Sequence, residues 1–476
     1  MHGFARWLVL GLVFASASRV TLAQDTAVAV RPPPSSPPDT LRRDCGFCNR
    51  PQPVFALIEG LFFQAANNRF NAWVRKDSTA YVTRETWKAN LKGGWGWDQD
   101  NFLVNMLGHP YAGSTHFAGA RSNGMGFWAS APFTFFHSAV WELFGETTRP
   151  SLNDFVDTGL GGIALGEMFH RFAATIRNNE AGGGDRFIRE VAALPFDPVG
   201  TFNRILRGEV ARKGPNPREH NPSETTLRIG GGAGLVRAPG SLLVSLKDAE
   251  KSAVFFADLN YGNLFSDSTR RPFDAFTMRI VLQPQHGGLT QLVGEGRIVG
   301  ARLGGSGTNR TQLDLNQRFE YLNNGALQWG GQTLELGFAS QLKLVGGFSL
   351  RTLLAGDGIV LAGINAPGAG TGEREYDFGP GLGGSFTAGI YHRGVPYLTA
   401  RYQPAWIHTL DGAEDANHYM TYVAAELALP VLPMLQLVAH TSYHDRLSKY
   451  ADGSRSRRRF PELRVFAALK TTHRRD

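Results

Sequence analysis

With 476 residues the chain is longer than one ordinary hydrophobic core, so its length asks for two or more domains. Its 57 glycines and 11% aromatic residues suit a turn-rich β protein, and charged residues at 19% fall below a typical soluble domain. The formal charge of +8 would suit nucleic acid, but an export signal at the start of the chain argues against that partner.

Arg6 is followed by the apolar run Trp7 to Ala15, then small residues and Thr21-Leu22-Ala23. That order reads as a secretory signal peptide over residues 1–23, and no Cys follows the candidate cleavage site to receive a lipid anchor. Residues 24–50 form a Pro-rich, extended linker. It holds Cys45 and Cys48 in the string DCGFCNRP, a candidate for a local disulfide in an oxidising compartment. Haem attachment would need His where Asn49 stands, and a zinc site would need a second Cys pair, so no metal or cofactor is expected.

Residues 51–212 read as a mainly helical domain, with helical runs at Val54–Val74, Phe133–Phe144, Ser151–Asn178 and Arg186–Ala193. Pro150, Ser151 and Asp154 make a helix start, and Gly182-Gly183-Gly184 supplies a loop. No segment reads as a membrane-spanning helix of about 20 apolar residues.

After a polar linker at 213–223, helical periodicity gives way to period two over 224–476. In the segment 311–321, Leu313, Leu315, Phe319 and Tyr321 share one parity, and Gln312, Asp314, Asn316, Arg318 and Glu320 share the other. Strand-like segments recur at 225–236, 252–263, 273–285, 289–303, 309–322, 326–344, 347–364, 376–391, 395–409, 416–429, 433–444 and 460–471. This predicts an α+β multidomain chain: the helical domain, then an antiparallel transmembrane-type β-barrel of about twelve strands. The expected location is the outer membrane, with the periplasm as the alternative. Outer-membrane lipid or lipopolysaccharide is the expected partner of basic residues such as Arg457, Arg458, Arg459, Arg474 and Arg475.

The stretch Trp87–Glu167 is dense in unusual residues, with WDQD at Trp97–Asp100, NMLGHPYAGS at Asn105–Ser114, an Ala120-Arg121 pair, WELFGE at Trp141–Glu146 and a segment from Asn153-Asp154 to Gly166-Glu167. These motifs resemble those of an uncharacterised family of bacterial envelope proteins, a domain of unknown function, over about residues 85–207. The resemblance implies no established activity. On a regular helix Ser138, Glu142 and Glu146 share one face, while Asn153, Glu167 and Arg171 fall within about 40° of one another, with Asp157 and His170 at the edges.

Three chemical readings compete. His109 with Glu142 or Glu146, and Ser114 as nucleophile, could hydrolyse a lipid ester or transfer its acyl group. Glu142, Glu146, Glu167 and His170 could hold metal, because GEMFH has the ExxH spacing of di-iron bundles, although a second ExxH is missing. Or Asp98, Asp100, Arg121, Asn153, Asp157, Glu167 and Arg171 form a structural polar network of buried pairs and caps. The barrel reading adds that the helical domain sits at the periplasmic mouth or plugs the lumen, its polar stripes meeting Asp314, Arg318, Glu335 and Lys343. Function then divides between an envelope structural or transport role and an enzyme of envelope lipids.

Overall fold

The computed structural model of the chain describes residues 50–217, 222, 224–236, 249–265, 271–305, 309–324, 327–366, 374–412 and 414–474. The expected signal peptide, the CxxC of Cys45 and Cys48, and Arg475 lie outside the described residues.

Eight α-helices occur among the described residues before the first strand: α1 (Pro53–Phe70), α2 (Arg84–Gly93), α3 (His109–Ser122), α4 (Phe127–Val140), α5 (Leu152–Val156), α6 (Gly162–Ile176), α7 (Gly183–Ala193) and α8 (Pro198–Leu206). Their starts follow local chemistry. Thr83 and Thr86 exchange capping bonds at α2, the Ser151 hydroxyl accepts from the Asp154 amide at α5, and Asp197 caps α8 ahead of Pro198.

The helix expected over Ser151–Asn178 is interrupted. A π turn at Asp157–Gly161 separates α5 from α6, and similar turns stand at Val104–Gly108 before α3 and Trp141–Gly145 after α4. Each widens the turn and shifts the phase of the residues C-terminal to it, so faces drawn on a regular helix do not carry across it. Helices α3 and α6 meet backbone to backbone: a Cβ on Gly113 would lie 2.0 Å from the Thr158 carbonyl oxygen and 2.8 Å from the Gly162 Cα.

Twelve strands between Glu224 and Arg474 form a closed antiparallel barrel, each paired with its sequence neighbours and β1 closing on β12. They are β1 (Glu224–Val236), β2 (Glu250–Tyr261), β3 (Phe276–Gln283), β4 (Gly288–Gly304), β5 (Arg310–Asn323), β6 (Gln328–Lys343), β7 (Phe348–Ile364), β8 (Asp377–His392), β9 (Val395–His408), β10 (Ala416–Leu432), β11 (Leu435–Tyr450) and β12 (Arg455–Arg474). The alternation sorts as expected. On β5 and β6 the parity of Asp314, Arg318 and Glu335 is buried inside, while Leu313, Leu334, Leu336 and Phe338 are exposed outside.

The lumen is crossed by charge. Arg279 of β3 and Arg228 of β1 both reach Glu426 of β10, at 2.6 and 2.7 Å, and Arg318 pairs with Glu335 and Asp357. Apolar clusters lie beyond this network on either side. One gathers Leu322, Trp329, Ile364, Ile407 and Phe460 at one rim, and another gathers Phe256, Ala428, Val438 and Phe466.

The helices dock on the opposite face of the wall from the one expected. Phe319 and Tyr321 have the outward parity of β5, yet both are fully buried, because Phe102 and the helical core cover them. Gln317, on the same parity, donates to the Leu160 carbonyl at 2.8 Å. Cβ atoms added at Gly294 and Gly330 would meet Met168 and Met106. The inward charges named as docking partners are otherwise engaged: Asp314 lies 3.5 Å from Arg297, Arg318 and Glu335 hold each other, and Lys343 is exposed at a strand end. These contacts place the helices against the barrel's outer wall rather than in its lumen. The physical reason is that the lumen charges neutralise one another, while the outward wall offers apolar area.

Candidate functional site

Seven of the motif residues, Asp98, Asn105, His109, Glu142, Glu146, Asn153 and Asp154, converge at the start of α5. An isolated bridge pairs Gly96 with Ser151, and the Gly96 amide donates to the Pro150 carbonyl, which brings the Trp97–Asp98 segment alongside the α5 cap. Asn153 then ties the two together: its side-chain oxygen accepts from the Asp98 amide, and its amide donates to Asp98 Oδ1 at 3.2 Å and Asp154 Oδ1 at 2.8 Å. Asn105, from the π turn before α3, donates to Asp98 at 2.6 Å and lies 2.6 Å from the Tyr376 hydroxyl.

His109 opens α3 with Nε2 3.3 Å from Asp154 Oδ1 and Nδ1 3.4 Å from the Thr158 hydroxyl. Glu142, in the π turn after α4, accepts from the Ser151 amide at 2.8 Å. Glu146 follows in extended backbone, off the helix, so the expected i, i+4 face is not what unites it with Glu142. Asp154 is the common member. Ligand-type atoms of Asp98, His109 and Asp154 lie within 4.8 Å of one another, as do those of Glu142, Glu146 and Asp154.

Among the described residues no Arg or Lys is ion-paired with any of these four carboxylates. Burial pushes the carboxyls of Glu142, Glu146 and Asp154 up, and mutual repulsion adds to it. Glu142 and Asp154 stand well above the usual carboxylate range, and Glu146 is raised to about 7. Burial lowers His109 to about 4, against the pull of Asp98. Two buried and two half-buried carboxyl groups beside an imidazole, none ion-paired to a guanidinium among the described residues, can share protons, or the two overlapping triads could hold a divalent cation. The metal set drawn from ExxH spacing does not form. Glu167 lies between Arg121 and Arg171, at 2.8 and 2.7 Å, and His170 stands 3.6 Å from Asp197.

Ser114 is buried and donates its hydroxyl to the Tyr111 carbonyl of its own helix at 2.7 Å, so it is held as a helix residue. Asp100 contributes its backbone carbonyl to the Tyr376 hydroxyl, and Asp157 is buried against Gln332 of β6. Arg171 reaches Asp274 in the β2–β3 connection at 2.9 Å. Tyr376 and Arg374 were not singled out in the sequence. Arg374 donates to the Asp98 carbonyl at 3.0 Å, and both stand next to residues 367–373, where no period marks a site.

No curated protein matches the sequence. The barrel half is similar to solved outer-membrane barrels. The NanC porin is 9% identical, covering 52% of this chain and 100% of that one, at a TM-score of 0.27. The outer membrane channel DcaP of Acinetobacter baumannii is 9% identical over 52% and 96% of the two chains, at 0.22. The outer membrane protease OmpT from Escherichia coli is 10% identical over 53% and 98%, at 0.17. For the helical half, residues 94–199 match the family described as Domain of unknown function (DUF3943).

Proposed function

We propose that the chain is an integral outer-membrane protein whose helical domain carries an acid–base centre acting on an ester bond of an envelope lipid. The barrel is the membrane anchor in this reading. The observation that carries it is the convergence of Asp98, His109, Glu142 and Glu146 on Asp154, with no Arg or Lys ion-paired to these carboxylates among the described residues. Glu146, near 7, titrates where a proton carrier at neutral pH must. With Ser114 engaged in its helix, water is the nucleophile: its oxygen bonds to the acyl carbon as one proton leaves it, the ester C–O bond breaks, and the alcohol leaving group takes a proton back. If a divalent cation is held, Asp98, His109 and Asp154 are its ligands on one side, and it would lower the pKa of that water.

The test is a lipid inventory of a deletion strain complemented with H109A, E146Q or D154N. An unprocessed lipid should accumulate in the deletion and persist with each variant, at unchanged protein abundance and heat-modifiable gel mobility. A wild-type lipid profile in all three variants would end the enzyme reading. Recovery of the protein as a soluble periplasmic product would end the membrane reading.

A transport role has one observation in its favour, a lumen cavity of about 270 Å³ lined by Arg228, Arg279, Arg401, Glu426, His440 and His444. Solute passage would require the bridges across that cavity to part.

A further inference from the structure

We infer that the helical domain lies at membrane depth beside the barrel, with its outer surface in contact with lipid acyl chains; this rests on reading the barrel as membrane-spanning. The first support is where the domain touches the wall. Its contacts follow neighbouring pairs of outward residues: Tyr261 with Phe276, Phe276 with Gly296, Gly296 with Gln317, then Phe319 with Gln332 and Gln332 with Leu361. Barrel strands tilt, so such a row climbs the wall. It begins at the end of β2, beside Asp274, and finishes at the start of β8, where Phe378 stacks on Trp97 at 5.5 Å. The end of β2 and the start of β8 lie at opposite rims. A domain docked from rim to rim occupies the height that lipid would otherwise fill.

The second support is the polarity of the domain, which is inverted. On α1, Val54, Ile58 and Phe62 fall on one exposed stripe, 59–68% accessible, while Glu59 faces inward and accepts from Asn123 and Asn203. On α7, Phe187 and Ile188 are 68% and 67% accessible, while Arg186 and Glu190 are buried and paired at 3.2 Å. Trp128 of α4 and Leu206 of α8 are exposed in the same way. A water-soluble bundle buries the other face. Among the described residues no helix is long and apolar enough to cross a membrane, so these helices would lie at depth as a group, supported by the wall.

Lipid fits better than a protein partner because the apolar stripes are spread over four helices. A fluid phase covers such a surface without shape complementarity, and it is the phase that the adjoining exposed leucines of β6 would already meet.

The experiment uses the full chain with Cys45 and Cys48 changed to Ser, in vesicles of phosphatidylethanolamine and phosphatidylglycerol. Single spin labels at Phe62, Phe187, Leu336 and Asp452 are read for collision with oxygen and with a water-soluble nickel chelate, after heat-modifiability shows a folded barrel. Phe62, Phe187 and Leu336 should favour oxygen, and Asp452 in the exposed β11–β12 turn should favour nickel. Nickel access at Phe62 and Phe187 with oxygen access at Leu336 overturns this inference and leaves the barrel in the membrane. Nickel access at Leu336 as well overturns both. Labels at Phe62 and Phe187 shielded from both reagents overturn it in favour of a second copy or another protein.

Discussion

Arg279 and Glu426 meet at 2.6 Å although β2, β1, β12 and β11 stand between their strands, so the contact spans the barrel interior. Arg228 and Asp258 complete the network, and removing one member leaves charge uncompensated among buried neighbours. E426A should lower barrel stability by about 3–5 kcal/mol, read as a lower temperature for loss of heat-modifiable mobility. The double variant R279A/E426A should raise single-channel conductance above the wild type, if these bridges are what closes the lumen.

Glu167 is fully buried between Arg121 and Arg171 and is held below its ordinary carboxylate range by both guanidinium groups, against the cost of burial. E167A should destabilise the helical domain by about 3–5 kcal/mol. Faster proteolysis within residues 94–199, with the heat-modifiable barrel intact, is the expected signature. Equal protease resistance would remove the pair from the structural network.

Gly113 lies where α3 crosses α6, and an added Cβ would strike the Thr158 carbonyl and Gly162. G113A should cost about 1–3 kcal/mol through overpacking. Because His109 and Thr158 flank the same crossing, any activity on lipid should fall with it. Gly184, with nothing within 4 Å of an added Cβ, gives the control: G184A should change neither property.

The raised carboxyls fix the sign of a pH effect. Glu142, Glu146 and Asp154 bind protons more tightly folded than unfolded. Below the unfolded pKa both states are protonated and these groups contribute nothing. Above it the unfolded state ionises first, so stability falls as pH rises, and for Glu146 the fall runs from about 4.5 to about 7. Denaturant melts of the helical domain should therefore be stronger at pH 5 than at pH 8, with a shallower slope in E146Q. A bound divalent ion would favour the ionised carboxylates and reverse the slope, which a chelator comparison at both pH values would reveal.

The barrel was legible because period two runs through strands such as β5 and β6: the segments expected at 309–322 and 326–344 are these two strands within a residue or two. What covers an apolar face was not. Leu313 and Phe319 share a parity and a residue type, yet one is exposed and the other is packed under helices, and only long-range contacts separate them. The helices were harder still. An amphipathic stripe shows that two faces differ without showing which one meets protein, and here Glu59 and Arg186 are buried while Phe62 and Phe187 are exposed. His109 and Glu142 were legible through their motifs. Asp154 joins them only because the chain turns at Ser151 beside Gly96.

The π turn at Asp157–Gly161 gives one chain segment two unlike electrical surroundings. Before it, Asp154 sits among carboxylates and is ion-paired to no guanidinium among the described residues; after it, Glu167 is clasped by two. On an unbroken α-helix the span from Asp154 to Glu167 would set the two acids about 140° apart, and the added residue of the π turn re-aims the second half by about 100°. Excising a single residue from that turn should regularise the helix and, by rotating one half against the other, silence the acid-rich end while leaving a better-formed rod.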